Sequence, residues 1–325
     1  MANNKIKKVL VTGGAGYIGS VCVRELLEQG YEVVVFDNLE YGHKHNIDFS
    51  RCKLIVGDLR EYRSILDAMQ KEKPDAVMHF AAYALVGESC QDPLKYFNNN
   101  VTGGINLLMA MEASDCYRLV FSSTCATYGI PDCDAISEMT PQNPINPYGT
   151  SKHMFEQAIK SYSSFKHLDF TIFRYFNACG AAYGLREEHS PETHLIPNVL
   201  TAISPHGKCL EVFGSDYNTP DGTCIRDYIH VLDLAKAHVE ALNKDVYGEF
   251  NLGTGVGTSV KEVIDLANEV TKSRIPYNIS PRRPGDPDKL VANPSKAEAA
   301  LSWKASKTTK DAIQDAYNFK AKDIA

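Results

Sequence analysis

The chain has 325 residues, a net charge of −6 at pH 7 and 44% hydrophobic against 23% charged residues, with a pI near 5.9 and a mean hydropathy of −0.26. This is the balance of a folded enzyme large enough for two domains; it excludes a disordered or fibrous chain, and its acidity gives nucleic acid no general attraction. Nine cysteines, an odd number without a Cys-x-x-Cys pair, fit neither a disulfide framework nor a zinc site, so no metal is expected and a reducing cytoplasm is.

Lys5, Lys7 and Lys8 resemble the basic start of an export signal, but only Val9, Leu10 and Val11 follow before Gly13, too short an apolar core. No apolar run is long enough for a membrane span. In chain order, residues 8–12, 32–36, 53–56, 76–80, 118–122 and 170–173 read as strands, with amphipathic, helix-like stretches between them. Strict alternation predicts an α/β fold, a Rossmann-type doubly wound parallel sheet. Beyond about Asn177 the chain turns to loops rich in Pro, Gly and Asp, with helices near 231–242 and 260–271. The expected division is a dinucleotide domain over 1–177 and a smaller α/β substrate domain over 178–325, with interleaved segments. The nearest thing to a linker is the polar stretch from Glu187 to Thr193, which carries Pro191.

Gly13, Gly16 and Gly19, with Tyr17 and Ile18 between the last two, follow the first strand and precede a helical run. Glycines there permit a tight turn and let N–H groups of a helix N-terminus approach a pyrophosphate. A glycine triplet alone is equally a plain turn, and context decides. The second strand leads into Asp37 and Asn38, and a carboxylate there accepts both adenosine ribose hydroxyls while repelling a 2′-phosphate, favouring NAD over NADP. Asp58 and Leu59, and Phe80, Ala81 and Ala82, then fall by position where the adenine and its linker would lie.

Tyr148 and Lys152 open a helix after Pro147, and a spacing of four puts phenol and ammonium on one face. Tyrosine titrates near 10, so reaching neutrality asks for roughly 3 units or about 4 kcal/mol, within reach of a close ammonium plus a positive nicotinamide ring. Such a phenolate is a general base for an alcohol. Thr124, after Ser122 and Ser123 at a strand end, offers a hydroxyl to the same oxygen, although such residues are also common turn chemistry. No His-Glu-x-x-His or Gly-x-Ser-x-Gly motif is present, and Cys125 and Cys179 lack a neighbouring activator.

These blocks stand in order with Val86-Gly87-Glu88-Ser89, Asn99-Asn100-Val101, Arg174-Tyr175-Phe176-Asn177, Arg226-Asp227-Tyr228-Ile229-His230-Val231 and Arg282-Arg283-Pro284-Gly285-Asp286. In this the chain closely resembles the UDP-glucose 4-epimerases of the extended short-chain dehydrogenase/reductase family. The resemblance implies that Tyr148 takes the proton of the sugar 4-hydroxyl while hydride passes from C4 to NAD. The 4-keto sugar then turns over and receives hydride on its other face. It implies further that Thr124 assists, that Lys152 also bonds the nicotinamide ribose, that Asn99 and Phe176 belong to the cofactor site, and that Tyr175 flanks the sugar. Asn177, His194, Leu195, Phe213, Arg226, Arg283 and Asp286 match positions that hold the UDP-sugar. Arg226 and Arg283 would supply a diphosphate with positive charge and Phe213 could stack on uracil, although a salt-bridge arginine or a core phenylalanine reads the same.

Leu290 matches the wall facing the sugar C2 substituent; some relatives carry tyrosine there, and leucine leaves room for an N-acetyl group. Ala84 stands where some relatives carry a phosphate-directed lysine, which leaves the tightness of NAD retention open, and His194 stands where some carry asparagine. The expected state is a cytoplasmic homodimer. The rivals are an epimerase for UDP-xylose or UDP-glucuronate, and a non-catalytic NAD-sensing regulator. A 4,6-dehydratase needs an acid/base pair directly after the threonine, where this chain has Cys125 and Ala126.

Overall fold

The computed structural model describes residues 6–203, 209–283 and 285–324; Lys5 and Pro284, singled out above, lie outside them. The chain forms two compact units, one from residues up to Gly129, Gln142–Arg174 and Ala235–Phe250, the other from Ile130–Pro141, Tyr175–Leu234 and Asn251 onwards. Segment 130–141 thus groups with the second unit and Ala235–Phe250 with the first, whose sheet gains an edge strand, Gly248–Leu252, from that return. Residues 187–193 lie inside the second unit, not between units.

The first unit is built on β1 (Lys8–Thr12), β2 (Glu32–Asp37), β3 (Lys53–Val56), β4 (Ala76–His79), β5 (Arg118–Thr124) and β6 (Asp169–Tyr175). With Gly248–Leu252 they make a seven-stranded sheet in the order Gly248–Leu252, β6, β5, β4, β1, β2, β3. β1 pairs in parallel with β2 and β4, β2 with β3, and β4 with β5, so the Rossmann-type sheet expected from the alternation is present. All seven residues of β5 are buried, because helices cover both faces of such a sheet and its strands read as apolar runs. Strand side chains Leu10, Val34, Val77 and Phe121 pack with Leu107, Phe155 and Ile159 of the helices. The helix Pro147–Phe165 starts where Asn146 Oδ1 accepts from Gly149 N at 2.8 Å, with Pro147 in the first turn, a position where its missing N–H costs nothing.

In the second unit, strand Ile225–His230 pairs in parallel with Asn177–Cys179 and Lys289–Leu290 and antiparallel with Gly257–Ser259. Leu210–Phe213 pairs with Tyr277–Ser280. Val199, Leu200, Val212, Val263 and Ile313 form the core beneath. The helix Val260–Thr271 opens on a reciprocal cap in which Ser259 Oγ accepts from Glu262 N and Glu262 accepts from Ser259 N, satisfying two donors the helix leaves over. Among the described residues no helix is long and apolar enough to cross a membrane.

Candidate active site

The strand order reverses at β1, and the residues after β1, β2, β4 and β5 gather at one edge of the sheet. Gly13 has φ +73°, and a Cβ there would lie 2.5 Å from Ala81 N; a Cβ on Gly19 would lie 2.2 Å from Gly13 O. Only glycine permits this turn and this packing. Gly16 caps the helix Tyr17–Glu28 without a side-chain acceptor, and the first turn carries no acid, so the amide end beside Tyr17 and half-buried Ile18 is left open to an anion. Asp37 is buried at 7% exposure; its Oδ2 accepts from Ala15 N at 3.0 Å and its Oδ1 from Leu39 N at 2.8 Å. Each oxygen keeps a second lone pair for a ribose hydroxyl. Burial pushes this carboxyl above its ordinary value, against the pull of those two hydrogen bonds. A glycine cradle without side chains and a paired acceptor beside it fit a dinucleotide.

Asn38 Nδ2 donates to Asp58 Oδ2 at 3.0 Å, and the hydrogen bond from Arg60, the largest influence, holds Asp58 at about 2. Leu59 is buried. Phe80 lies 5.0 Å from the His238 ring, its N and that of Ala81 both donate to Thr12 O, which ends β4 one residue before the expected 80, and Ala82 is half-buried. Asn99 Nδ2 donates to Asn100 Oδ1 at 3.0 Å.

β5 runs two residues further than expected and ends in Thr124, which is hydrogen-bonded to the Tyr148 side chain. Tyr148 lies edge-on to Tyr96 at 6.4 Å. Lys152 is 3% exposed; its Nζ donates to Ser122 O at 2.7 Å and sits 4.9 Å over the Phe121 ring. Burial pushes Tyr148 up to about 12, only partly offset by Thr124, and pushes Lys152 down to about 7, partly offset by Glu156. In the free chain burial is thus the largest influence on both groups.

In the second unit Tyr175 and Phe176 are each 5% exposed, Phe176 N donates to Leu252 O, and Asn177 Nδ2 donates to Asp227 O at 3.2 Å. Arg226 Nη2 meets Asp286 Oδ1 at 2.5 Å, and Tyr217 donates to Asp286 Oδ2 at 3.0 Å. The Arg283 guanidinium lies 4.2 Å over the Phe213 ring, which leaves Phe213 one face for stacking. Leu290 pairs in register with Arg226. Leu195 packs against the core beneath. His194 stands at the start of helix Leu195–Ala202 without capping it; burial opposes its charge, but hydrogen bonds to Glu187 and Glu192 prevail and raise it to about 10.

Residues 9–253 match the NAD dependent epimerase/dehydratase family. The chain belongs to this family. A UDP-glucose 4-epimerase of Lactobacillus helveticus is 50% identical over 307 residues, 91% of this chain and 92% of that protein. A UDP-glucose 4-epimerase of Bifidobacterium longum, solved in complex with NAD+ and UDP, has a TM-score of 0.93 at 38% identity, covering 98% of this chain and 99% of that one. A UDP-Glc/GlcNAc 4-epimerase of Campylobacter jejuni has a TM-score of 0.84 at 38% identity, covering 97% and 99%.

For a member of this family, the fold adds residues that sequence reasoning passed over. Glu156, with 0% exposure, holds Arg174 through Nε and Nη2, accepts from Gln142 Nε2 at 2.9 Å and bonds Ser123 Oγ. Arg174 Nη1 reaches Tyr128 Oη at 2.9 Å. The signal was available: 148, 152 and 156 repeat at four and share one helix face. Asn100 holds Tyr83 N and O and Ser151 Oγ, which no local pattern announces.

Proposed function

We propose that the chain is a UDP-glucose 4-epimerase, an NAD-dependent isomerase that interconverts UDP-glucose and UDP-galactose. The observation that carries this reading is the Thr124–Tyr148 hydrogen bond on the sheet edge that also bears the glycine cradle. The glycine cradle and Asp37 would hold NAD, which would supply a reversible hydride acceptor for sugar C4 and a positive ring beside Tyr148. Tyr148 Oη takes the proton of the 4-hydroxyl and later gives it back, with Thr124 Oγ1 holding the same oxygen during the transfer. Lys152 donates one proton to Ser122 O and keeps two for a ribose hydroxyl and the phenolate. Asp37 favours NAD over NADP. Asn177, Arg226, Arg283 and Asp286 hold the nucleotide, with Phe213 against the base. Neither Cys125 nor Ala126 supplies the acid/base pair that dehydration needs.

The leucine at 290 extends the reading to the N-acetylhexosamine pair, since no ring fills the space beside the sugar C2. A homodimer is supported by Ile105 and Met109, four apart and exposed on helix Gly103–Glu112, and by exposed Met154; nine free cysteines suit the cytoplasm. Purified protein given UDP-galactose should form UDP-glucose, followed by NMR of the anomeric protons, without accumulating NADH. Absence of conversion, or NADH formed in step with substrate loss, overturns the proposal.

A further inference from the structure

The polar loop that resembled a linker carries a cluster of which only His194 figures among the sugar-nucleotide positions above. Glu187, His189, Glu192 and His194 each turn one donor atom inward, and all four donors lie within 4.8 Å of one another. His194 Nδ1 is 2.8 Å from both Glu187 Oε1 and Glu192 Oε1, while His189 Nδ1 is 3.2 Å from Glu187 Oε1. The last contact is misaligned, so His189 Nδ1, a buried atom, has no hydrogen bond. Glu187 is only 8% exposed on its side chain. His194 Nδ1 thus meets two carboxylate oxygens at once, while a second, buried ring nitrogen faces one of them without a hydrogen bond of its own.

From this we infer that Glu187, His189, Glu192 and His194 form a binding site for one divalent transition cation of the zinc class. Metal–nitrogen and metal–oxygen bonds near 2.1 Å set donors roughly 3.4 Å apart in a tetrahedron, against 2.8 to 3.2 Å for the three contacts above and at most 4.8 Å for any pair. Two imidazoles and two carboxylates suit Zn2+ or Co2+, whereas Mg2+ and Ca2+ prefer oxygen donors. The dication neutralises both carboxylates, replaces the proton on His194 Nδ1 and gives the orphaned His189 nitrogen a partner. Sequence reasoning missed the site because its test was cysteine spacing and His-Glu-x-x-His, and Glu-x-His-x-x-Glu-x-His is neither.

The site shares His194 with the positions that the resemblance assigns to the UDP-sugar, and its test reads metal and not turnover, so that its failure and that of the proposed epimerisation are distinguishable. The full-length protein, with whatever cofactor it retains, is dialysed against a chelator and titrated with Zn2+ in competition with a chromophoric chelator, then with Co2+ followed by visible absorption. The expected result is one ion per chain and the strong ligand-field bands of four-coordinate Co2+, without the near-ultraviolet band of cobalt bound to sulfur. Glu192→Gln and His189→Ala should each weaken binding at least about tenfold, and the thermal transition of each variant reports its folding. Absence of stoichiometric binding to the wild type, a sulfur band, or unchanged affinity in either folded variant overturns the proposal.

Discussion

Lys152 and Arg226 are both cations with little access to water, and the fold treats them oppositely. Lys152 has a backbone carbonyl and an aromatic face as partners, and burial pushes it down to about 7. Arg226 is neutralised in place by Asp286. A buried charge without a close counter-ion costs several kcal/mol, whereas a hydrogen-bonded pair recovers most of that cost. Under the proposed function, the first arrangement would keep a titratable group beside the reacting oxygen; the second keeps an arginine oriented, to be shared with a bound diphosphate.

If Tyr148 is the group that the poised lysine serves, its hydroxyl carries the largest effect. Tyr148→Phe should retain the fold and bound NAD yet lose about 100- to 10,000-fold in kcat, measured by conversion of UDP-galactose; near wild-type turnover would remove the base from the mechanism. Lys152→Met should lower kcat by a comparable factor while sparing stability. The sign follows from linkage. With Lys152 at about 7 in the folded chain against about 10.4 unfolded, the unfolded chain binds an extra proton between those values, so stability rises with pH across that window. In the cofactor-depleted chain the methionine variant should lose that part of the pH slope of Tm, and an unchanged slope would show that Lys152 is not the strained group. Arg226→Gln should act on binding: losing one charged hydrogen bond of about 1.5–3 kcal/mol should raise KM for the UDP-sugar by roughly 10- to 150-fold with kcat altered little, and a loss confined to kcat would reverse the comparison. The smallest effect belongs to Leu290→Tyr, where overpacking of about 1–3 kcal/mol should lower kcat/KM for the N-acetyl pair and leave the unacetylated pair nearly intact; equal loss for both pairs contradicts the assignment.

The first unit was the more legible. β1 and β3 fall on the residues that the β-branched runs select, and the helix expected just after Pro147 runs over Pro147–Phe165. The edge strand Gly248–Leu252 was not anticipated: its sequence GEFNL carries a weak apolar signal, and its place beside β6 depends on a return of the chain that no local pattern encodes. In the second unit the short strand Lys289–Leu290 owes its existence to pairing with Ile225–His230, so propensity could not find it. Arg226 and Asp286 were legible as separate candidates from the resemblance, and their mutual ion pair was not, since 60 residues separate them. The burial of Tyr148 was not legible for a related reason: charge spacing can be read along a helix, whereas burial is a property of everything packed around it.

Glu156 gathers Ser123, Gln142 and Arg174 onto the helix that carries Tyr148, entirely within the first unit. The proton-transfer apparatus therefore has its own foundations. Under the proposed function, substitutions around Arg226, Phe213 or Leu290 should change which sugar nucleotide is accepted without re-tuning the base, which would make guest and reaction separately mutable. Such a division makes a scaffold evolvable: a lineage can explore new substrates one residue at a time while the step that inverts C4 is inherited unchanged.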